Sequence, residues 1–479
     1  MFFRQIADPS LAQRAYLIGC PRTGQAIVVD PERDIDRYLA LAEANGLRIV
    51  AAAETHIHAD FLSGVRELAE CAGAHVYVSG ESGEVWTPRW LTARASGGAY
   101  DHTLLHDGDI IRIGGVELAA VHTPGHTPEH LSYTVLDRGG GATEPIGVLT
   151  GDFVFVGDLG RPDLLDTAAG YSDTRFRAAR DLRRSATRFL DEPDFLQVWP
   201  AHGAGSACGK ALGAVPQSTV GYERRFNPAL NLVTDEAAFT RSILEDQPEP
   251  PLYFGRMKQL NRDGVPILGA LPDPPRVTID DALTARDRLD VLDTRPPARH
   301  RAGRLPGSIA ASLCPAFINM AGSYLDPLRD ILLVATNRDT RDDAIRRLVR
   351  IGLDRVTGWI DEASLAAVDP ARLTRTDAVA PADLRAYLKE AGAVLFDVRL
   401  ANEPKDKTIP GADRLPYTRA PELLDSVPTD RPVVLYCATG VRSEAVASLL
   451  RRRGIDARSL EGGLTAWRAV TAATTTPTG

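Results

Sequence analysis

The sequence predicts a multidomain α/β protein, and three observations lead to that class. The chain has 479 residues, more than one ordinary hydrophobic core accommodates, so two to four domains are expected. In its first half, short apolar runs alternate with amphipathic helical patterns. In its second half, a pattern of strand, proline turn, strand, loop and helix occurs twice. We therefore expect separate α/β domains, the last two of which are related to each other.

The composition is typical of a soluble globular protein. Hydrophobic residues make up 44% of the chain, charged residues 25%, and the formal net charge is −8. This charge argues against nucleic acid or an anionic membrane as the main partner, and no window reaches the roughly 20 apolar residues that span a bilayer. The five cysteines are scattered and never spaced as CxxC, which favours reduced thiols, and the N-terminus lacks a signal-peptide pattern. We expect a cytoplasmic protein that forms a homo-oligomer.

The first half places a histidine cluster between a strand and a helix. Residues 16–29 have the pattern of a β-hairpin, and residues 35–44 that of a short amphipathic helix. A buried strand over 48–53 runs directly into residues 55–60, THIHAD, and a helix is expected over 61–72. Functional side chains are commonly presented on such connecting loops. The two histidines of this run are therefore candidates for a site.

A proline-rich stretch divides the chain. Seven prolines fall between residues 247 and 275, which indicates a linker and a domain boundary. We predict a first domain over 1–250 and a linker over 251–275. Two further domains are then expected over 276–372 and 373–479.

The last two domains are predicted to be siblings. Three segments of one copy match three of the other, with a slip of about two residues that loops tolerate: 291–295 with 395–399, 305–308 with 409–412, and 332–336 with 434–438. Each copy has the pattern of a small domain with a parallel sheet. Cys437 in the last matched segment has no counterpart in the first copy.

Four segments of the first half resemble a known metal-binding family: 55–60 (THIHAD), 123–127 (TPGHT), 150–152 (TGD) and 200–203 (PAHG). Their order and spacing are similar to those of the metallo-β-lactamase superfamily, an αββα sandwich with metal between the sheet edges. The likeness covers roughly the first half of the chain. HxHxD followed by PGHT and GD is a specific combination, whereas each piece alone is weak.

The sixth position of the usual HxHxDH motif is Phe61, which cannot bind metal. A binuclear zinc site that generates a hydroxide is therefore compromised. The sequence is similar to the persulfide dioxygenase branch of the superfamily, which implies a mononuclear Fe(II) site with the ligands His56, His126 and Asp152. Two imidazoles and one carboxylate leave open positions that suit Fe(II) oxygenases, so that a persulfide and O₂ can bind side by side.

The same resemblance suggests supporting roles for other residues. His58 and Asp60 resemble metal ligands of the zinc enzymes. Here they are expected to orient the site rather than bind metal. His202, a second-metal ligand in hydrolases, is expected to line the pocket. Arg161 either anchors a substrate carboxylate or oxidised sulfur group, or is an ordinary turn arginine. Cys208 either handles sulfur near the metal or packs within a glycine-rich loop.

The last domain resembles the rhodaneses. A strand over 433–436 is followed by Cys437 in a CxxGxR loop, and residues 460–467 match the closing motif of the family. A cysteine at a helix N-terminus faces backbone N–H groups and the positive dipole end, which favours its thiolate. Gly440 permits the tight loop with positive φ, and Arg442 adds positive charge. Cys437 is therefore expected to carry a persulfide as an enzyme-bound intermediate.

Together the resemblances imply an N-terminal αββα metallo-β-lactamase sandwich followed by two rhodanese-like domains with parallel sheets, as in bacterial sulfide-detoxification fusions. The first domain would oxidise a glutathione, CoA or other small-molecule persulfide with O₂ to sulfite, and Cys437 would transfer sulfur to or from thiosulfate. The copy over 276–372 has ATNRDT at 335–340 instead of the cysteine loop and is expected to be inactive. Two alternatives stay open: a zinc thioesterase like glyoxalase II, and a non-catalytic sulfur sensor.

Overall fold

A computed structural model describes most of the chain, namely residues 1–167, 174–400, 402–403 and 408–475. The chain forms two compact units, Met1–Ala270 and Leu271–Gly479. Each unit has its own sheets and hydrophobic cores, so the mixed α/β class is confirmed. Within the described ranges, no helix has the length and hydropathy needed to cross a bilayer.

The first sheet of the first unit has six strands: β1 (Phe2–Asp8), β2 (Gln13–Cys20), β3 (Gln25–Val29), β4 (Arg48–Ala53), β5 (His75–Ser79) and β6 (His102–Leu105). They lie side by side in chain order, antiparallel from β1 to β3 and parallel from β3 to β6. The β2–β3 pair confirms the predicted hairpin. Helices α1 (Asp36–Ala44) and α2 (Val65–Ala72) pack on the outer face.

The second sheet provides the other half of the sandwich. Its region contains β7 (Ile110–Ile113), β8 (Val116–His122), β9 (Leu131–Asp137), β10 (Gly147–Gly151), β11 (Val154–Phe155), β12 (Asp158–Leu159), β13 (Gln197–Pro200) and β14 (Ser218–Thr219). The sheet order is β14-β13-β10-β9-β8-β7, and β11 and β12 form a separate ribbon. The helices are α3 (Leu164–Thr167), α4 (Arg175–Phe189), α5 (Val220–Phe226), α6 (Glu236–Leu244) and α7 (Phe254–Asp263).

One apolar core fills the space between the two sheets. Ile18, Ile27 and Val29 from the first sheet join Leu118 and Leu149 from the second, and all five side chains are fully buried or nearly so. Full burial of one such side chain contributes about 1.5–3 kcal/mol. With α1 and α2 on one outer face and α4 to α6 on the other, the layers are α, β, β and α. This is the sandwich that the sequence predicted.

The predicted linker over 251–275 is wrong in part. Residues Phe254–Asp263 form α7, and the first unit extends to Ala270 rather than to residue 250. Proline-free sequence lies between Pro251 and Pro266, which leaves room for a helix whose apolar residues face the unit. The prolines therefore flank a helix of the first unit instead of marking an extended connection.

The predicted start of α2 also needs correction, because the helix begins at Val65 rather than at residue 61. The residues before it are bonded to other segments. Ser63 N donates to Asn261 Oδ1 at 2.9 Å, and Gly64 N donates to Pro31 O at 2.7 Å. These bonds hold the histidine run as an ordered loop between β4 and α2.

The second unit contains two four-stranded parallel sheets. Their strands are β15 (Leu289–Asp293), β16 (Ile309–Ala310), β17 (Asp330–Ala335), β18 (Val356–Asp361), β19 (Val394–Asp397), β20 (Asp413–Arg414), β21 (Val433–Tyr436) and β22 (Ala457–Ser459). The orders β16-β15-β17-β18 and β20-β19-β21-β22 are the same pattern twice. The helices are α8 (Ile279–Ala285), α9 (Pro297–Ala302), α10 (Phe317–Tyr324), α11 (Arg338–Val349), α12 (Glu362–Ala366), α13 (Leu384–Glu390), α14 (Ala420–Leu423), α15 (Val441–Arg452) and α16 (Gly463–Thr475).

A repeated side-chain contact supports the alignment of the two copies. In the first, Arg295 Nε and Nη2 donate to Asp293 at 3.0 and 2.7 Å. In the second, Arg399 Nε and Nη2 donate to Asp397 at 2.9 and 2.7 Å. The same fork therefore closes the end of β15 and of β19. The domain limits at 276–372 and 373–479 stay predictions.

Candidate functional site

The three predicted metal ligands converge in the first unit. His56 follows β4, His126 lies between β8 and β9, and Asp152 follows β10. Asp152 Oδ2 is 3.8 Å from His56 Nε2 and 3.5 Å from His126 Nε2, and all three ligand atoms lie within 4.8 Å of one another. Metal–ligand bonds of about 2.0–2.2 Å place neighbouring ligand atoms roughly 3.0–3.5 Å apart. An ion therefore fits among them with a small adjustment.

Two atoms of this cluster have no partner of their own. His56 Nε2 and Asp152 Oδ2 are buried and accept or donate no hydrogen bond within the described part of the chain. Leaving a buried polar group unsatisfied costs about 1–3 kcal/mol, and native proteins contain few such groups. Unpaired nitrogen and oxygen atoms that face one another are what a bound cation would satisfy. The donor set therefore fits a metal ion.

Neighbouring groups fix the ring orientation of both histidines. His126 Nδ1 lies 3.0 Å from Arg161 O, and because a carbonyl only accepts, Nδ1 carries the proton and Nε2 is free to bind metal. His56 Nδ1 contacts Thr55 Oγ1 at 2.9 Å. Burial lowers the pKa of His126 to about 4 and holds the pKa of His56 well below its usual range. Both imidazoles are therefore neutral, the form that ligates.

His202 connects Asp152 to Asp60. Its Nδ1 lies 2.7 Å from Asp152 Oδ1 and its Nε2 lies 2.9 Å from Asp60 Oδ2. Burial opposes the charge, but the two carboxylates outweigh it and raise the pKa of His202 to about 10. His202 is therefore a cation that orients Asp152 in this arrangement. Asp60, His202 and Cys208 also offer three ligand atoms within 4.8 Å of one another.

His58 belongs to a separate buried cluster. Its Nε2 lies 2.9 Å from Glu54 Oε2 and 3.3 Å from Asp30 Oδ1, and these three residues also have ligand atoms within 4.8 Å. Burial opposes its charge, yet Asp30 and Glu54 raise the pKa of His58 well above the usual value. Asp30 Oδ1 also accepts from Thr55 N at 2.7 Å. The cluster thus ties the histidine loop to the sheet, and sequence spacing did not reveal Asp30 or Glu54.

Of the two roles considered for Arg161, the contacts of its side chain favour internal pairing over substrate anchoring. Its side chain is only 1% exposed, and it forks onto Asp163 with contacts of 2.8 and 2.7 Å. Its Nη1 donates to Ala207 O at 3.0 Å and to Pro248 O at 2.7 Å. The guanidinium is therefore committed inside the protein, and Arg161 contributes to the site through its backbone carbonyl. The short separation from Asp163 was the available signal for this internal pairing.

Cys208 lies beside the site and is 1% exposed. Burial, followed by the charges of Asp60 and Asp152, raises the pKa of the Cys208 thiol well above its usual value. The thiol is therefore neutral in this arrangement. Both roles considered for Cys208, sulfur handling and loop packing, stay predictions.

Sequence reasoning missed three residues that complete the surroundings. His130 Nε2 accepts from Asp152 N at 3.0 Å and so positions the carboxylate through its backbone. Asn261 Nδ2 donates to His58 O and Phe61 O at 2.9 and 2.7 Å. Lys258 lies on the buried face of α7. A polar residue at a position of apolar helical spacing was the signal for Lys258.

The cysteine loop of the second unit has the expected form. Cys437 follows β21 and is 1% exposed, and Gly440, with φ of 96°, is the residue before α15. Gly440 N donates to Cys437 Sγ at 3.1 Å, and Ser443 Oγ lies 3.7 Å from the same sulfur. Donors at the start of a helix stabilise negative charge on sulfur. The loop therefore suits a thiolate or a persulfide anion.

Arg442 contributes less free charge than expected. Both of its terminal nitrogens contact Glu403, with Nη2 at 3.0 Å from Oε2, and its guanidinium lies 5.4 Å from the Tyr417 ring centre. Burial opposes its charge, but Glu403 raises the pKa of Arg442. Arg442 is within electrostatic reach of Cys437, although the carboxylate of Glu403 offsets much of its field.

The corresponding loop of the first copy is closed. Asn337 Oδ1 accepts from Thr340 N, and Thr340 Oγ1 accepts from Asn337 N, both at 2.9 Å. This capping box satisfies N–H groups at the start of α11 that an anion would otherwise contact. The loop thus lacks both the nucleophile and the open cradle.

Comparisons with known protein families give one match in each unit. Residues 10–202 match the Metallo-beta-lactamase superfamily, and residues 380–470 match the Rhodanese-like domain. A crystal structure of a metallo-beta-lactamase from Staphylococcus aureus is 38% identical, with a TM-score of 0.66, and the match covers 75% of this chain and 98% of that one. Persulfide dioxygenase ETHE1, mitochondrial, from Bos taurus is 26% identical over 49% of this chain and 78% of its own length. Beta-lactamase hydrolase-like protein from Xylella fastidiosa is 26% identical over 56% of this chain, which spans only 60% of that relative.

Proposed function

Because this chain belongs to the metallo-β-lactamase superfamily and carries a C-terminal rhodanese-like domain, we propose that it oxidises a small-molecule persulfide with O₂ and transfers sulfur through Cys437. The observation that carries the oxidation is the convergence of unpaired His56 Nε2 and Asp152 Oδ2 with His126. The similarity to a persulfide dioxygenase supports the same reaction. The balanced reaction is RSSH + O₂ + H₂O → RSH + SO₃²⁻ + 2H⁺.

The residues of the site suit one metal ion with open positions. Fe(II) held by His56, His126 and Asp152 would supply the redox chemistry and the positions for O₂ and sulfur. The neutral imidazoles keep their Nε2 lone pairs available, and His202 holds the Asp152 carboxylate in place. Phe61 packs against His58, with ring centres 4.3 Å apart, where the usual motif has another ligand. This apolar contact favours a single metal over a binuclear site.

The second unit supports sulfur transfer. We propose that the Cys437 thiolate attacks the outer sulfur of thiosulfate, which forms a Cys437 persulfide and releases sulfite. The reverse reaction returns the sulfur from Cys437 to sulfite and gives thiosulfate. Gly440 N and the Ser443 hydroxyl are placed to stabilise the sulfur anion in both directions. The copy with the closed Asn337 loop is proposed to be an inactive rhodanese-like domain.

Oxygen uptake by the full-length protein tests this proposal. The Fe(II)-loaded protein is expected to consume one O₂ and release one sulfite for each glutathione persulfide or CoA persulfide. Zn(II)-loaded protein is the matched control and should consume none, because zinc has no redox chemistry. Absence of uptake in samples with one bound iron per chain would rule out the dioxygenase function.

A binuclear hydrolase is the second candidate, and one observation favours it. Asp60, His202 and Cys208 offer a second set of three ligand atoms close to Asp152. Against it, both nitrogens of His202 are hydrogen-bonded to carboxylates. Two zinc ions per chain and hydrolysis of a glutathione thioester would establish this alternative. The sensor alternative would instead require a Cys437 thiol that does not react with thiosulfate.

A further inference from the structure

Lys258 is a buried lysine that has no ion-pair partner among the described residues. It lies on α7 and is 8% exposed, although lysine is almost never buried unless it is paired. Within the residues that the structure describes, Nζ has no hydrogen-bond acceptor and no carboxylate within 4.0 Å. Its recorded contact is with the Trp86 ring, whose centre is 5.5 Å from Nζ. The face of an indole ring attracts a cation but leaves its N–H groups free.

The ammonium of Lys258 lies 5.5 Å from the centre of the Trp86 ring, and Trp86 lines the same cavity as His56 and Glu129. This ammonium lies within electrostatic reach of Asp152 and Cys208. It also acts on both predicted histidine ligands, His56 and His126. A positive charge therefore acts on the place where three predicted ligands meet.

The position of Lys258 is fixed by the helix that carries it. Phe254 and Met257 are buried on the same face of α7. One turn after Lys258, the Asn261 side chain donates to two carbonyls of the histidine loop, those of His58 and Phe61. The lysine is thus held by the same hydrogen bonds that tie α7 to the metal-binding loop. Its placement does not depend on a flexible connection.

On the loop that contains His126, two buried polar atoms make no hydrogen bond to any described residue. They are Thr127 Oγ1 and Glu129 Oε2. Glu129 Oε1 accepts from Ile57 N at 2.9 Å, which directs the carboxylate to the same region. Glu129 and Lys258 attract each other, yet they form no contact of 4.0 Å or less. Buried polar groups that remain unpaired indicate a ligand that would complete them.

We propose that Lys258 is an anion-binding residue of this site and that its ammonium binds the anionic sulfur group of the persulfide substrate and of the sulfite product. The inference rests on the proposed function, which requires a persulfide anion to enter and sulfite to leave. A lysine without an internal carboxylate partner can bind such an anion without first breaking an ion pair. The flanking Glu129 carboxylate stabilises the cation while the site is empty of anion.

Sulfite binding and persulfide kinetics test the role of Lys258 in the full chain. The variants are K258M, which removes the charge, and K258R, which keeps it. K258M removes a charge-assisted hydrogen bond to the anion. We therefore expect it to raise both the sulfite Kd and the persulfide KM by about 10- to 100-fold. We expect kcat to change less than KM and K258R to recover most of the sulfite affinity. Calorimetry with sodium sulfite and oxygen uptake give the two readouts.

Lys210→Met is the matched control, because it removes one positive charge from the same unit outside the site. Lys210 donates to the carbonyls of Ser242 and Glu245. The control should bind sulfite with unchanged affinity. If K258M does not fold, K258Q provides the same comparison.

The two proposals fail in different ways. If the wild type takes up no oxygen, but binds sulfite and K258M does not, the anion site is supported and the dioxygenase function is ruled out. If the wild type takes up oxygen and K258M retains both the wild-type sulfite Kd and the wild-type KM, the role of Lys258 is overturned. Equal loss of sulfite affinity in K258M and K258R would also overturn it, since charge would then not decide binding.

Discussion

Substitution of Gly160 by alanine should damage the candidate metal site from a position that binds no metal. A Cβ added at Gly160 would lie 1.8 Å from Asp152 O and 3.3 Å from His126 Cβ. Contacts below 3.0 Å essentially never occur for real Cβ atoms, so the backbones of Gly160 and Asp152 must separate by at least about 1.2 Å (3.0 minus 1.8). The obstacle is a backbone carbonyl, which cannot rotate away like the end of a flexible side chain. Gly160→Ala therefore moves a predicted ligand.

The expected size of the effect follows from packing energetics. Overpacking of this kind costs about 1–3 kcal/mol and occasionally more. In a unit as large as Met1–Ala270, each kcal/mol lowers the melting temperature by about 2–4 °C, so we expect a decrease of roughly 2–12 °C. Displacement of the carboxylate should weaken metal binding by about 10- to 100-fold, as disturbed ligand orientation does elsewhere.

Thermal melting and metal analysis of the same preparation test this expectation. Gly139→Ala is the matched control, because its added Cβ would meet its nearest atoms at 3.5 Å, an ordinary contact. The control should keep the wild-type melting temperature and metal content. A G160A protein with full metal content and a melting temperature within 2 °C of wild type would refute the reasoning.

Three further predictions concern other parts of the chain. Cys437→Ser should abolish sulfur transfer from thiosulfate and leave oxygen uptake within about twofold of wild type, and loss of both activities would contradict two separate sites. Arg161→Ala should lower the free energy of unfolding by about 3–5 kcal/mol, because it breaks the buried ion pair between Arg161 and Asp163. An increased KM at unchanged stability would instead restore a substrate role for Arg161. Burial opposes ionisation of Asp397, but hydrogen bonds from Arg399 outweigh it and lower its pKa. That stabilisation is present above the unfolded-state pKa of about 3.9 and is lost as the pH falls through the lowered folded-state pKa, so Asp397→Asn should cost about 1.5–3 kcal/mol in urea melts at pH 7 and less at pH 3. The exposed carboxylate of Asp430 is the control, and its amide variant should change neither melt.

The layered fold and the convergence of the three predicted ligands could be anticipated from local patterns and motifs. Apolar runs of strand length and turn residues located β2, β3 and β4, and these elements exist with small boundary shifts. His56, His126 and Asp152 each follow or connect buried strands, so their convergence follows once the family resemblance orders the strands. The repeat was visible because the Asp293–Arg295 and Asp397–Arg399 pairs are preserved at the level of sequence letters.

The remaining parts of the site depend on contacts that sequence spacing does not encode. Asp30 and Glu54 meet His58 only because β3 and β4 are neighbours in the first sheet. Lys258 was assigned to a linker since prolines on either side of α7 dominated the pattern. Two roles stayed open for Arg161, substrate anchor or turn arginine, because burial cannot be read from a single arginine. In each case a contact between distant segments decided the outcome.

Comparison of the two copies in the second unit distinguishes residues that stabilise the fold from residues that support sulfur chemistry. The aspartate–arginine fork after the first strand occurs in both copies with nearly equal distances, so it stabilises the sheet and has no specific link to reactivity. The loop before the helix differs completely, because Asn337 closes one by a capping box whereas Gly440 opens the other with positive φ. An open loop directs backbone N–H groups at Cys437, and a capped one has already satisfied them. Introducing a cysteine into the first copy at Ala335, the counterpart of Cys437, should therefore give a thiol without sulfurtransferase activity unless the capping pair is removed as well. Activity of such a single variant with thiosulfate would show that the cysteine alone is sufficient and that loop geometry is not what distinguishes the copies.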